Sequence, residues 1–123
     1  MANVIVADDE ALLRWAIGQR LARDGHAVTE AADGAAALEA LAAVEPPTVV
    51  LLDVKLPDMP GLVVLREIRQ RRPDAVVVMM TAYWAGEALA EARSLGVRDV
   101  LAKPLDLDRV AAAVAAAKEI GTC

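Results

Sequence analysis

Four short segments of the sequence end in polar residues that could together bind a charged group. Each segment is an apolar run that closes on carboxylate, hydroxyl or ammonium groups, at Asp8-Asp9-Glu10, Asp53, Thr81 and Lys103. Neighbouring carboxylates repel one another, and a hard cation such as Mg²⁺ relieves that repulsion through oxygen ligands. A lysine and a hydroxyl beside that cation would neutralise and orient a phosphoryl group, and a carboxylate can act as its nucleophile. If the fold brings these residues together, they predict a phosphoryl-transfer site.

Each of these residues alone has a simpler explanation. An aspartate after a strand, such as Asp8 or Asp53, is usually a helix cap or a turn residue. A lone Thr81 is more often a turn hydroxyl, and a lone Lys103 is normally a solvated surface residue. The functional interpretation therefore depends on all four segments lying on one edge of the fold.

The chain between these segments alternates between strand and helix patterns. Apolar runs predict strands at 4–7, 49–52 and 76–80, and two less apolar segments, 27–31 and 97–102, are the remaining strand candidates. Helical spacing predicts helices over 10–24, 33–44, 62–72 and 85–95, and a last helix that Asp106 or Asp108 caps. This (βα)₅ order predicts an α/β fold with right-handed crossovers, a doubly wound, flavodoxin-like parallel sheet of strand order 2-1-3-4-5. Sites in such sheets lie at the carboxyl ends of the strands, where Asp8, Asp9 and Asp53 would converge.

Composition limits the class of protein. The 123 residues, 57% of them hydrophobic, fit one domain over 1–123. The single cysteine, Cys123, excludes a disulfide framework, and the absence of a basic leader or a long apolar run predicts a cytoplasmic domain without a membrane span. The net charge of −5 makes nucleic acid an unfavoured direct partner, so the arginine cluster at 66, 69, 71 and 72 is interpreted as a solvated helix face.

At this point the sequence resembles the receiver domain of two-component response regulators. The matching segments are VIVADDE at 4–10, LLDVKLPDMPG at 51–61, MTAY at 80–83 and KP at 103–104. They occur in order along the whole chain. The residues at 14–16 and 81–83 look most similar to receivers of the nitrogen-regulator type.

The resemblance implies a role for each acid of the site. Asp53 would accept a phosphoryl group from a sensor histidine kinase or a histidine phosphotransfer protein. Asp9 and Asp53 would bind Mg²⁺ directly, and Asp8 would bind it through water. The backbone carbonyl of Lys55 would complete the protein ligands.

The resemblance also assigns the groups that hold the phosphoryl oxygens. Thr81, the Ala82 N–H and Lys103 would contact them, and the Lys103-Pro104 peptide bond would be cis. Members of the family usually carry a switch aromatic three residues before the lysine, where this chain has Val100. Tyr83 or Trp84 is a candidate for part of that role, and Tyr83 together with Lys55 could restrict access of the hydrolytic water.

Trp15 and Leu12 are the candidate kinase-docking residues. Trp15 lies about 200° around the predicted helix from both Leu13 and Ile17, so it should point away from the core. In the resembled family a four-helix phosphodonor binds the first helix. The alternative is that Trp15 lies flat and covers aliphatic side chains.

Two functions from different classes remain open. The first is a phospho-accepting switch whose fourth helix, fifth strand and fifth helix control an output in transcription, with a possible phosphorylation-dependent homodimer. The alternative is a receiver-like interaction module that works without phosphorylation, which Val100 favours. A true enzyme is not expected, because an aspartate-nucleophile phosphatase would carry Asp where Lys55 stands, and no GxGxxG motif or P-loop occurs.

Overall fold

The computed structural model describes residues 1–82 and 86–121, and the surroundings of side chains as far as residue 117. Strands and helices alternate along these residues. The strands are β1 (Asn3–Ala7), β2 (Ala27–Ala31), β3 (Thr48–Asp53), β4 (Val76–Thr81) and β5 (Asp99–Ala102). The helices are α1 (Ala11–Arg23), α2 (Gly34–Ala43), α3 (Gly61–Arg71), α4 (Glu87–Ser94) and α5 (Leu107–Gly121).

The strands form one parallel sheet in the order β2-β1-β3-β4-β5. The predicted fold class and strand order are therefore confirmed. Ala7 pairs with Ala31 on one side and with Leu52 on the other, so β1, β2 and β3 end at the same edge. On the other side of β3, Asp53 pairs with Met80 of β4. The loops that follow β1, β3, β4 and β5 consequently meet at the carboxyl edge of the sheet.

The sheet is covered on both faces, which explains why β3 and β4 carry uninterrupted apolar runs at 49–52 and 76–80. Val50 and Leu52 of β3 belong to a core layer beneath α2, α3 and α4. Val49 and Leu51, which point the other way, belong to a layer beneath α1 and α5. None of the helices in the described part of the chain is long and apolar enough to cross a membrane.

The ends of the elements follow local hydrogen bonds. Asp33 caps α2, as predicted, by accepting a hydrogen bond from the Ala36 N–H at 2.8 Å. The predicted strand at 97–102 is too long by two residues, because the Val97 N–H donates to the Ala92 carbonyl at the end of α4 instead of to the sheet. The predicted start of the fourth helix at Ala85 falls outside the described residues.

The interpretation of the α3 arginines as a solvated face is wrong for Arg69 and Arg72. Arg72 Nη1 donates to the carbonyl oxygens of Leu41 and Val44, each at 2.8 Å, and Nη2 donates to Thr48 Oγ1 at 3.0 Å. Arg69 donates to backbone carbonyls in the loop before β4. These arginines are long enough to reach open carbonyls at the end of α2 and in the following loops, which the sequence pattern did not reveal.

Candidate functional site

The loop after β1 places three carboxylates at the carboxyl edge of the sheet. Asp8 is buried, whereas Asp9 and Glu10 are exposed. The Asp8 carboxylate accepts a hydrogen bond from the Glu10 N–H at 2.8 Å, and the Asp8 N–H donates to the Ala31 carbonyl at 3.1 Å. Arg14 of α1 donates from Nη1 to the Asp8 carbonyl oxygen at 2.7 Å. These bonds fix the acidic loop to both β2 and α1.

Lys103 lies between the acids that follow β1 and β3. Its Nζ is 2.9 Å from Asp8 Oδ2, 2.9 Å from Asp53 Oδ2 and 3.4 Å from Glu10 Oε1. Asp53 is only 5% exposed, and its Oδ1 accepts a hydrogen bond from the Lys55 N–H at 3.2 Å. The fold thus joins Asp8, Asp53 and Lys103, which are far apart in the sequence, through one ammonium group.

Burial and ion pairing shift the pKa values of Asp53 and Lys103 in opposite directions. Burial raises the pKa of Asp53, and the hydrogen bonds from Lys103 and from the Lys55 N–H only partly offset that effect. Burial alone would lower the pKa of Lys103, but its hydrogen bonds to Asp53 and Asp8 outweigh burial and raise that pKa. Lys103 is therefore a fixed positive charge, and the carboxylates around it remain undercompensated.

Thr81 and Ala82 line the same cleft as the acidic loop. Thr81 ends β4 and is buried, and its carbonyl oxygen accepts a hydrogen bond from the Lys103 N–H at 2.7 Å. The Lys103-Pro104 peptide bond is cis. The cleft has a volume of about 310 Å³ and is lined by Asp9, Glu10, Asp53, Val54, Lys55, Thr81, Ala82 and Lys103.

The loop after β3, residues 54–60, turns back sharply against its own strand. The Gly61 N–H donates to the Val54 carbonyl at 2.7 Å, and Lys55 forms an isolated antiparallel bridge with Pro60. A Cβ atom at Gly61 would lie 2.5 Å from the Asp53 carbonyl oxygen, so this close approach requires glycine. The turn leaves Lys55 at the wall of the cleft.

The donor atoms in the cleft fit a hard divalent cation. One carboxylate oxygen from each of Asp8, Asp9 and Glu10 lies within 4.8 Å of the others. The Asp53 carboxylate faces the same region, because it shares Lys103 with Asp8. All of these donors are oxygen atoms, which Mg²⁺ prefers. A bound Mg²⁺ would offset the excess negative charge and polarise the oxygens of a phosphoryl group.

Comparison with known proteins identifies the family. A family model described as the response regulator receiver domain matches residues 4–115. The chain belongs to this family. The DNA-binding transcriptional regulator NtrC of Escherichia coli K12 is 40% identical over 111 residues, which are 90% of this chain and 24% of NtrC. This receiver domain therefore spans about a quarter of the length of the NtrC proteins it matches, and these relatives support the nitrogen-regulator resemblance.

Two further receiver-family proteins extend the comparison. Sporulation initiation phosphotransferase F of Bacillus subtilis is 32% identical over 112 residues, 91% of this chain and 90% of that protein. Response regulator TrrA from Thermotoga maritima, solved in complex with Mg(2+)-BeF, superimposes with a TM-score of 0.82 at 26% identity. That alignment covers 95% of this chain and 99% of TrrA. A receiver domain of this length therefore matches both a part of a longer regulator and a short protein nearly in full.

Three other candidate residues, Leu12, Trp15 and Val100, do not line the cleft. Leu12 is 79% exposed and Trp15 is 55% exposed on α1, so the predicted outward orientation is confirmed. Val100 is half-buried, pairs with Met79 of β4 and packs against the layer beneath α2, α3 and α4. Tyr83 lies outside the described residues. The roles of these residues in docking and switching stay predictions.

Sequence reasoning missed two supports of the site, Arg14 and Asp58. Arg14 follows the acidic loop by one helical turn, and that spacing could have indicated that its side chain returns to the loop. Asp58 lies in a loop rich in proline and makes its hydrogen bonds to residues that are 23 and 24 positions away. Only the packed fold brings these two parts of the chain together, so no local signal could have found this contact.

Proposed function

We propose that this receiver domain is the phospho-accepting switch of a two-component system, with Asp53 as the acceptor. The observation that carries the proposal is the Lys103 ammonium, 2.9 Å from both Asp8 and Asp53. It lies in a cleft where oxygen donors for a cation surround one acceptor carboxylate. Receiver-family membership supports the same assignment.

The proposed donor is a phosphohistidine of a sensor histidine kinase or a histidine phosphotransfer protein. An Asp53 carboxylate oxygen attacks phosphorus, and a P–O bond forms as the P–N bond breaks. The imidazole leaves with the bonding electron pair. The Thr81 hydroxyl and the Ala82 N–H hold phosphoryl oxygens, Lys103 forms an ion pair with one of them, and together these groups stabilise the charge. The domain modifies only itself, so we do not class it as an enzyme.

The proposed metal ligands come from the carboxyl ends of two strands, β1 and β3, and the loops that follow them. Asp9, Asp53 and the backbone carbonyl of Lys55 bind Mg²⁺ directly, and Asp8 binds it through water. The exposure of Asp9 leaves its carboxylate accessible to an entering cation. The complex of TrrA with Mg(2+)-BeF supports this assignment by fold similarity.

The proposed output is a change in the surface formed by α4, β5 and α5, which acts on a downstream output domain or protein. The NtrC relatives are DNA-binding transcriptional regulators, and this supports an output in transcription. Nucleic acid itself is not a proposed partner of the acidic receiver domain. Phosphorylation also leads two copies of the domain to pair through the same surface in this proposal. The proposed location of the domain is the cytoplasm.

Val100 favours a second candidate function, a phosphorylation-independent interaction module. A valine cannot rotate a ring between buried and exposed positions, and Val100 is already half-buried against the core. In the switch proposal another group, with Tyr83 as the candidate, must couple Thr81 to the output surface. The module proposal needs no such coupling.

The proposed kinase-docking surface is the exposed part of α1 around Leu12 and Trp15. Trp15 lies on a groove between α1 and α5, together with Gln19, Arg23 and Leu107. We expect Trp15→Ala to slow phosphotransfer from the cognate kinase but not from acetyl phosphate. Equal slowing with both donors would refute docking through this residue.

The decisive test is the intact mass of the protein after incubation with acetyl phosphate, with and without Mg²⁺. We expect a Mg²⁺-dependent gain of one phosphoryl group that Asp53→Asn abolishes. Asp33→Asn is the matched control, because it changes an aspartate that caps α2 outside the cleft. A folded protein that gains no phosphoryl group from acetyl phosphate or from a histidine kinase would favour the interaction module.

A further inference from the structure

The start of α2 is capped by two aspartates from different parts of the chain. Asp33 accepts a hydrogen bond from the Ala36 N–H at 2.8 Å. Asp58, in the loop after β3, accepts hydrogen bonds from the Gly34 N–H at 2.8 Å and the Ala35 N–H at 2.9 Å. The carboxylate of Asp58 therefore joins loop 54–60, which contains Lys55, to a helix in another part of the sequence.

Side-chain packing reinforces this junction. A Cβ atom on Gly34 would lie 2.6 Å from Met59 Cγ and 2.8 Å from Val64 Cγ2. Loop 54–60 and α3 thus press directly on the first residue of α2. The two backbone hydrogen bonds also lower the pKa of Asp58, so its charged form is the one engaged.

The junction restrains the part of the loop that faces the cleft. Asp58 lies between Lys55 and Pro60, which are bridged to each other, and Gly61 is tied to Val54 at the base. With its base and its tip both fixed, the loop has little freedom to shift Lys55. The N–H of Lys55 contacts Asp53 Oδ1 at 3.2 Å, so a shift of Lys55 would also disturb the acceptor.

We propose that Asp58 is a positioning residue that holds the Lys55 backbone carbonyl in place for the cation by anchoring loop 54–60 to α2. The inference rests on the proposed function only in taking this carbonyl as a Mg²⁺ ligand. Asp58 itself lies outside the residues that line the cleft and acts through the backbone. Groups that orient metal ligands in this way commonly change metal affinity 10- to 100-fold when they are removed.

The test compares Asp58→Ala with Asp33→Ala by titrating Mg²⁺ into the unphosphorylated domain in a calorimeter. Both variants remove a cap from the same helix and should lower the urea midpoint of unfolding. We expect Asp58→Ala to weaken Mg²⁺ binding about 10-fold. Asp33→Ala should leave Mg²⁺ affinity unchanged, because the Asp33 carboxylate bonds to the Ala36 N–H within α2 and does not anchor the loop. Asp58→Asn should restore part of the affinity, because its amide oxygen can still accept one of the two N–H groups.

Three outcomes would overturn the inference. They are equal weakening by Asp58→Ala and Asp33→Ala, unchanged affinity in a folded Asp58→Ala variant, and no Mg²⁺ binding by the wild-type domain. Failure of the proposed function gives a different result, since Mg²⁺ binding does not require phosphorylation. A domain that binds Mg²⁺, loses affinity on Asp58→Ala and accepts no phosphoryl group would uphold the positioning role while refuting the switch.

Discussion

The two edges of the sheet differ in how completely their charged side chains are paired. At the amino edge, Arg72 donates to the Leu41 and Val44 carbonyls, to Thr48 Oγ1 and to the Asp74 carboxylate. Every nitrogen of this guanidinium has an acceptor at 2.8 to 3.0 Å. The donors of Arg72 are thus matched with acceptors that would otherwise be open, and this arrangement stabilises the fold.

At the carboxyl edge the match is incomplete. Asp8 and Asp53 are buried together and share one ammonium, that of Lys103, while Asp9 and Glu10 add further negative charge nearby. Burial raises the pKa of Asp53 in spite of this ion pair. Sites that bind a ligand commonly cost stability in this way, because they hold charges together before the ligand arrives.

The largest expected effect is the loss of stability on Arg72→Met. The substitution leaves two carbonyls and a hydroxyl without their donor, so the free energy of unfolding should fall by about 2 to 4 kcal/mol. Urea titration measures this change. Mg²⁺ affinity should not change, because the arginine lies at the opposite edge from the cleft.

Arg71→Met is the matched control for that experiment. Arg71 is half-exposed, and its one ion pair among the described residues is with Glu67 one helical turn away, so its loss should change stability by about 0.5 kcal/mol or less. Equal losses from Arg71→Met and Arg72→Met would show that the amino edge is no better satisfied than an ordinary helix surface.

A smaller effect of opposite sign is expected at the carboxyl edge. In buffer that contains EDTA, Asp53→Asn should raise the free energy of unfolding by about 1 kcal/mol, because it removes a buried like charge beside Asp8. Lys103 keeps Asp8 as its partner. Added Mg²⁺ should then stabilise the wild-type domain more than the variant, because it binds the native acid cluster.

Asp9→Asn provides the comparison within the same edge. Asp9 is exposed, so water already screens its charge, and its replacement should change stability little in EDTA. A loss of stability on Asp53→Asn would contradict the comparison, since it would mean that the Asp53–Lys103 pair outweighs the cost of burial.

The fold could be predicted because its evidence is local. Fully apolar runs such as 49–52 and 76–80 bury both of their faces only when the strand lies between two layers of helices. Because helices alternate with the strands along the chain, the strands must then pair in parallel. The start of β5 could not be placed, because the Val97 N–H could bond either to the sheet or to the end of α4, and it donates to the Ala92 carbonyl. Such competition is decided by packing and not by residue type.

The site was predictable for the residues that end strands. Strand order alone brings Asp8, Asp53 and Lys103 to one edge, and the structure places them there. Arg72 and Asp58 were not predictable, because each bridges segments that are distant in the sequence. The acids of the cleft can be found from the sequence pattern, whereas the groups that support each edge can be found only in the folded structure.

The smallest effect is a difference in pH dependence between the two edges. The pKa of Asp53 is raised by burial above its unfolded value near 3.8, so its charge costs stability at neutral pH. As the pH falls through the raised pKa, the native state takes up the proton before the unfolded state does. The free energy of unfolding of the wild type therefore rises relative to that of Asp53→Asn. The stability advantage of Asp53→Asn should therefore shrink as the pH falls from the raised pKa of Asp53 to its unfolded value near 3.8.

Asp74 should behave in the opposite sense. Its hydrogen bond with Arg72 lowers its pKa below 3.8, so its stabilising contribution is complete above that value and is lost only below it. The deficit of Asp74→Asn should thus stay constant over the pH range in which the advantage of Asp53→Asn shrinks. Urea titrations of both variants and the wild type, in EDTA at several pH values, measure the two differences. Parallel curves for the two variants would mean that burial does not distinguish the acid of the carboxyl edge from that of the amino edge.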